Sequence, residues 1–319
     1  MISHAVLAIA VLAYPAAGQA QTYPSKPIRF LVPFAPGGGN DVVARLIGGK
    51  LSEAWNQQVV VDNRGGAGGN IAAEIVARSV PDGYTIFLFN SANAIAPSLY
   101  KSVPFDPLKD FEPVILISTS PFALVVHPAT PAQSVQDLIA LAKAKPKGYV
   151  YASGGNGSST HLAAEQFKQM AGIELVHVPY KGAGPAFVDL LAGQVTLYFS
   201  SIPPALPHVK GGRVRALAIS SERRSRLWPD LPTISEAGLP GYESGASYGL
   251  VTPARTPVAV VRKLNADVSR ILNEPDVRSR LASQGMDIAA GTPQDFARFM
   301  KAEIVKWAQV IKASGARVD

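Results

Sequence analysis

Short apolar runs rich in β-branched and aromatic residues alternate with helical periodicity along nearly the whole chain, and that alternation leaves few architectures open. Runs of the first kind cover 28–34, 59–62, 85–90, 114–117, 122–127, 149–152, 173–178, 195–200, 214–220 and 248–252. Between them, apolar residues recur every third or fourth position, as in Val43, Leu46, Ile47, Leu51 and Trp55. The pattern predicts an α/β fold of parallel sheets covered by helices. Residues 134–137 (SVQD) and 233–236 (TISE) read as capping boxes that open helices. Beyond residue 253 only helical patterns remain, at 257–273, 276–285 and 293–314, and these are expected to pack back on the N-terminal sheet. Segments 120–128 and 246–253 read as strands connecting two lobes.

With 319 residues and 47% hydrophobic content, the chain is long enough for one large core or two ordinary ones. Its first twenty residues contain no Lys, Arg, Asp or Glu and run through an apolar stretch from Ala5 to Ala13 to the small-residue site Gly18-Gln19-Ala20. That is the form of a secretory signal peptide over 1–20, cleaved before Gln21, and the apolar run is too short to span a bilayer. The basic element usual at its start is reduced to the amino terminus and His4. With no later apolar span and no cysteine to carry a lipid, the expected location is the periplasm. The lack of cysteine also excludes a disulfide framework, a thiolate zinc site and a Cys nucleophile. The net charge of +7 is scattered, with one dense cluster at 221–226 (SERRSR), read as a solvated face, so no nucleic-acid partner is expected.

Three glycine-rich segments follow strand patterns and precede helix patterns, at 34–41 (FAPGGGND), 63–70 (NRGGAGGN) and 152–162 (ASGGNGSSTHL). The opening amides of a helix have no internal partner and carry the positive end of its dipole, so a strand–glycine–helix turn is suited to an anion. A glycine turn with an Asn or Asp cap is also an ordinary structural device, and both readings stay open for the first and third segments, while the second is read as structural. The third offers a cluster of uncharged donors in Ser153, Asn156, Ser158, Ser159, Thr160 and His161. Enzyme motifs fail: G-x-S-x-G, the P-loop and G-x-G-x-x-G are all absent. The five histidines (His4, His127, His161, His177 and His208) read as isolated, which argues against a metal. His161 beside Ser158 and Ser159 imitates a nucleophile and base without an acid partner. No catalytic residue, cofactor or metal is assigned.

Taken together, the blocks YPSKPIRFLVPFAPGGGNDVVAR, NRGGAGGN, PDGYT, YASGGNGSSTHL, HVPYKGAGPAFVDLLAGQV, GGRVRALAISSERR, PDLPTISEAGLPGYE and GTPQDFARFMKAEIVKWAQVI resemble, in this order, the periplasmic solute-binding proteins of tripartite tricarboxylate transporters, the TctC or Bug receptors. The resemblance implies a two-lobed Venus-flytrap fold with two crossing hinge strands. Lobe I would hold 21–122 and 247–319, and lobe II 123–246. It implies one ligand carboxylate held between Phe34, Ala35, Gly37, Gly38, Gly39, Asn40 and Asp41 on one side and Ser153, Gly155, Asn156, Ser158, Ser159, Thr160 and His161 on the other. Asn90 and Ser91 would add a polar wall, and Tyr180, Lys181, Ser200 and Tyr248 would shape the distal end. Thr196 and Ser200 stand where many relatives carry an acid, and Arg64-Gly65-Gly66 replaces a proline-containing turn. An uncharged distal pocket suits a di- or tricarboxylate, a hydroxy acid or an aromatic acid. The implied role is a monomeric receptor that delivers such a carboxylate to the transporter's membrane subunits. A receptor presenting its ligand to a periplasmic sensor kinase is the alternative, and a hydrolase or isomerase the remote one.

Overall fold

A computed structural model describes residues 23–34, 36–180 and 183–314; the expected leader at 1–20 and the candidate ligand residues Ala35 and Lys181 lie outside them. Strands β1 (Ile28–Val32), β2 (Val59–Asn63) and β3 (Thr85–Asn90) pair in parallel, with β1 central. β1 is buried along its length except at Arg29, as expected of a parallel strand covered on both faces. The crossover helix α1 (Gly39–Trp55) buries Val43, Ile47 and Leu51 of the predicted stripe, with Leu46 and Trp55 half-buried against the same core. A second parallel set comprises β5 (Val150–Ser153), β6 (Val176–Pro179) and β7 (Leu197–Ser201), with β5 central.

The two sets are joined through β4 (Phe111–Val126) and β9 (Gly245–Pro253), which run antiparallel to each other. β4 corrects the sequence reading, which placed separate strands at 114–117 and 122–127. Ser118, Ser120 and Pro121 between them look like a turn, yet both serines are buried and bonded: Ser120 Oγ donates to the Gly285 carbonyl at 3.2 Å. Along its length β4 changes partners, from β9 over 111–121 and β10 (Asp287–Ile288) at 118–119 to β7 and β8 (Arg215–Ile219) over 122–126. β9 also pairs with β3. Buried apolar clusters lie on either side of this crossing. One group draws on 28–117 and 248–300, the other on 122–242.

Helices α8 (Val258–Leu272) and α9 (Pro275–Ser283) pack on the first group, beside α1. The long α10 (Pro293–Ser314) touches both sides. Its Phe296 and Met300 pack with Phe87, Phe89 and Val251, whereas Trp307, Val310 and Ile311 pack with Leu162 of α5 (Ser159–Ala171) and with Ile95 and Leu99 of α3 (Ser91–Leu99). The two capping boxes deviate in instructive ways. Ser134 accepts from the Asp137 amide, but Asp137 reaches back one residue further, to the Gln133 amide. Thr233 and Glu236 form a complete reciprocal box. No regular helix follows it, because Gly238 takes a φ of 114° and Pro240 stands just beyond.

Candidate functional site

The first glycine turn joins β1 to α1. Gly37 adopts a left-handed φ of 93°, and its amide donates to Asp41 Oδ2 at 3.0 Å. The Arg45 guanidinium binds the same oxygen at 3.0 Å. Burial pushes the Asp41 carboxyl up, but these bonds together outweigh it and hold the group below its ordinary range. Asp41 therefore braces the turn as a carboxylate. Phe34 contributes its carbonyl to Asn63 Nδ2 at 2.9 Å. No partner among the described residues takes the amides of Gly38, Gly39, Asn40 or Asp41, and Gly38 brings no side-chain cap. Tyr248 of β9 closes on this turn: a Cβ on Gly39 would lie 2.5 Å from its phenol oxygen. Burial raises that phenol to about 12, so it faces the turn as a neutral group.

Asn90 and Ser91 connect this turn to its surroundings. Asn90 Oδ1 caps α3 by accepting from the Ala92 amide at 2.9 Å, and its Nδ2 donates to Asn40 Oδ1 at 2.8 Å. Ser91 Oγ accepts from the Ser247 amide at 2.8 Å. Both residues are buried, and these bonds tie α1, α3 and β9 together.

The third turn joins β5 to α5 and uses left-handed conformations at Gly155 (φ 123°) and Gly157 (φ 75°). Most of its donors are engaged within the turn. Gly154 N donates to Thr160 Oγ1 (2.9 Å), Gly155 N to Ser153 Oγ (3.1 Å), Gly157 N to His161 Nδ1 (3.1 Å) and His161 N to Ser158 Oγ (3.2 Å). The amides of Asn156, Ser159 and Thr160 have no partner among the described residues. Asn156 is exposed. Tyr180 lies alongside: its amide donates to the Ser153 carbonyl at 3.1 Å and its phenol to Asp189 Oδ2 at 2.6 Å. Ser200 is buried on β7 with its hydroxyl on the Ser201 carbonyl at 2.9 Å, and Thr196 Oγ1 accepts from the Val150 amide at 3.2 Å.

Both turns thus end on a helix start whose free amides are neutral donors with the positive end of a dipole behind them, an arrangement that favours an anion. The short α3 touches the opening of each helix. Asn90 bonds Asn40 of α1, and Ile95 and Leu99 pack on Leu162 of α5. The second glycine segment is a packing device. Gly66, Ala67, Gly68 and Gly69 all have positive φ (124°, 47°, 68° and 95°), and a Cβ at Gly68 or Gly69 would meet the Tyr100 phenol at 2.6 Å or Pro33 Cβ at 2.8 Å.

The histidines correct the sequence reading. His161 and His177 are not isolated, since their rings stack at 4.2 Å, and His161 does have an acid nearby, Glu165 Oε1 at 4.0 Å from Nε2. Sixteen positions separate the two rings, which sit on different elements, α5 and β6, so no local motif could reveal the pair. The nucleophile reading still fails, because Ser158 Oγ accepts from the His161 backbone amide and His161 Nδ1 accepts from Gly157. The basic cluster at 221–226 borders a groove of about 640 Å³ against α9 and β10, where Arg223, Arg224, Arg226 and Arg278 mix with Glu222, Glu243 and Asp287. Among the described residues no helix is long and apolar enough to cross a membrane.

Comparison with known proteins gives a consistent result. The model of a family described as tripartite tricarboxylate transporter family receptor matches residues 43–316. Protein BugT of Bordetella pertussis is 38% identical over 312 residues, covering 97% of this chain and 96% of its own. Among solved structures, Rpa4515 of R. palustris with adipate is 39% identical with a TM-score of 0.83, covering 92% of this chain and 98% of that one. MatC of Rhodopseudomonas palustris with bound malate is 34% identical with a TM-score of 0.80, covering 91% and 100%.

Proposed function

The chain belongs to the tripartite tricarboxylate transporter receptor family, whose members are periplasmic solute-binding receptors and not enzymes, and from that premise we propose that it captures a small organic carboxylate between its two lobes and delivers it to the transporter's membrane subunits. The observation that carries this reading is the pair of glycine turns with unpartnered opening amides, at 37–41 and 154–160. One ligand carboxylate lies between them, and Tyr248 and Tyr180 flank it from the two sides. Adipate and malate, bound by two relatives, support a small dicarboxylate or hydroxy acid as the ligand.

We place lobe I at 21–122 plus 247–319 and lobe II at 123–246. The partition of the apolar clusters supports that division, and β4 and β9 supply the hinge. A ligand contacting both turns binds the closed state better than the open one, so capture and the signal to the transporter share one cause. The chain acts as a monomer and is exported by the leader at 1–20. The test is calorimetric titration with adipate, malate, citrate and benzoate, with mass spectrometry of compounds that copurify. Binding of at least one carboxylate, with a raised melting temperature, is expected. No binding and no copurifying acid would overturn the proposal.

A further inference from the structure

Behind the third turn lies a stack of rings that carboxylate binding does not by itself require. Tyr151 of β5, His177 of β6 and His161 of α5 lie nearly parallel, with centroids 4.7 Å apart for Tyr151 and His177 and 4.2 Å for His177 and His161. Packing alone would explain parallel rings. It does not explain their polar ends, which point at the atoms that shape the turn. His177 Nε2 lies 2.6 Å from Ser153 Oγ, and His161 Nδ1 is 3.1 Å from the Gly157 amide.

The proton positions follow from the partners. An amide can only donate, so His161 Nδ1 is an acceptor and its proton is on Nε2, toward Glu165. Ser153 Oγ accepts from the Gly155 amide at 3.1 Å, and of the two acceptors within reach of its own proton, His177 Nε2 at 2.6 Å is nearer than the Gly155 carbonyl at 3.2 Å, so we assign that proton to the bond with His177. Both rings serve as neutral acceptors. The groups facing them are the Tyr151 phenol, which donates to Glu165, Glu165 itself, and Lys168, whose Nζ is 2.7 Å from Glu165 Oε1. Burial lowers both imidazoles from their ordinary range, His177 to about 3, in keeping with that assignment.

We infer that His177 and His161 are positioning residues of the binding turn: His161 holds the Gly157 amide directly and His177 holds the Gly155 amide through Ser153. With those two amides engaged, the ones presented to a ligand are Asn156, Ser159 and Thr160. The link to affinity rests on the carboxylate reading above, whereas the proton assignment does not.

The experiment uses the mature chain without ligand. Nitrogen-detected NMR of the imidazoles is expected to show His161 Nδ1 and His177 Nε2 unprotonated at neutral pH, with a Gly157 amide slow to exchange. His161→Leu is expected to speed that exchange about tenfold or more, and His161→Asn, whose carbonyl can accept in place of Nδ1, to restore it. In titrations with adipate and malate, His161→Leu and His177→Leu should each weaken binding about tenfold, and His161→Asn much less. A proton on either acceptor nitrogen, or Gly157 exchange unchanged in His161→Leu, would overturn the inference. If wild type binds neither acid, the choice of ligand fails while the NMR result still decides the role of the rings.

Discussion

Gly39 offers the sharpest substitution. It is the first residue of α1, its φ is not left-handed, and alanine there would be welcome on helix propensity, by less than about 1 kcal/mol. Its surroundings forbid the extra carbon. A Cβ would stand 2.5 Å from the Tyr248 phenol oxygen, 3.2 Å from the ring carbon bearing it and 3.2 Å from Met286 Cε. Tyr248 is buried on β9, so the ring cannot swing away without disturbing the strand pair with β3. Overpacking of this kind costs about 1–3 kcal/mol, and the helix gain offsets only part of it. Gly39→Ala should therefore destabilise by about 1–2 kcal/mol in urea unfolding, and weaken carboxylate binding by crowding the free amides of the turn. Tyr248→Phe relaxes the nearest approach from 2.5 to 3.2 Å, so the double variant should recover much of the loss. A coupling of at least about 0.5 kcal/mol is expected in the cycle. If Gly39→Ala matches wild type, or its effect adds to that of Tyr248→Phe without coupling, Tyr248 is not wedged against the helix start.

Three further expectations can be checked by unfolding measurements. Gly249→Ala would drive a Cβ into the Phe296 ring at Cζ, and should cost about 2 kcal/mol or more unless Phe296 is also trimmed to Leu. Leu162→Ala empties the contact where α5 meets α3 and α10 and should cost about 2–5 kcal/mol, whereas Val305→Ala on the exposed face of α10 should stay within about 0.5 kcal/mol. Acid should also destabilise the fold through the two buried histidines. Both are held below the ordinary imidazole value by burial, so below about pH 6.5 the unfolded chain binds more protons than the native one. Stability should fall as pH drops below about 6.5, approaching about 1.4 kcal/mol per pH unit from His177 alone, with His161 adding in the same direction, and His177→Gln should flatten that slope; an unchanged slope would contradict the assignment.

Much of the fold was legible because local patterns and tertiary packing agree. The Val43, Ile47 and Leu51 stripe and the helix at 293–314 needed only periodicity. β4 was harder, since Ser118 and Ser120 imitate a turn until Met286 and Gly285, far along the chain, are seen to receive them. The site shows the same division. Glycines that follow a strand announced both turns, but not which amides stay free, because that depends on His161, Asp41 and Thr160 folding back onto the backbone. His177 carried no signal at all, as its partners Ser153 and His161 come from β5 and α5.

Whether one carboxylate is held by the opening amides of α1 and α5 can be seen in a crystal structure with adipate. Carboxylate oxygens are expected within about 3 Å of amides in 38–41 on one side and of Ser159 or Thr160 on the other. Adipate bound instead among Arg223, Arg226 and Arg278, with both glycine turns untouched, would contradict that placement.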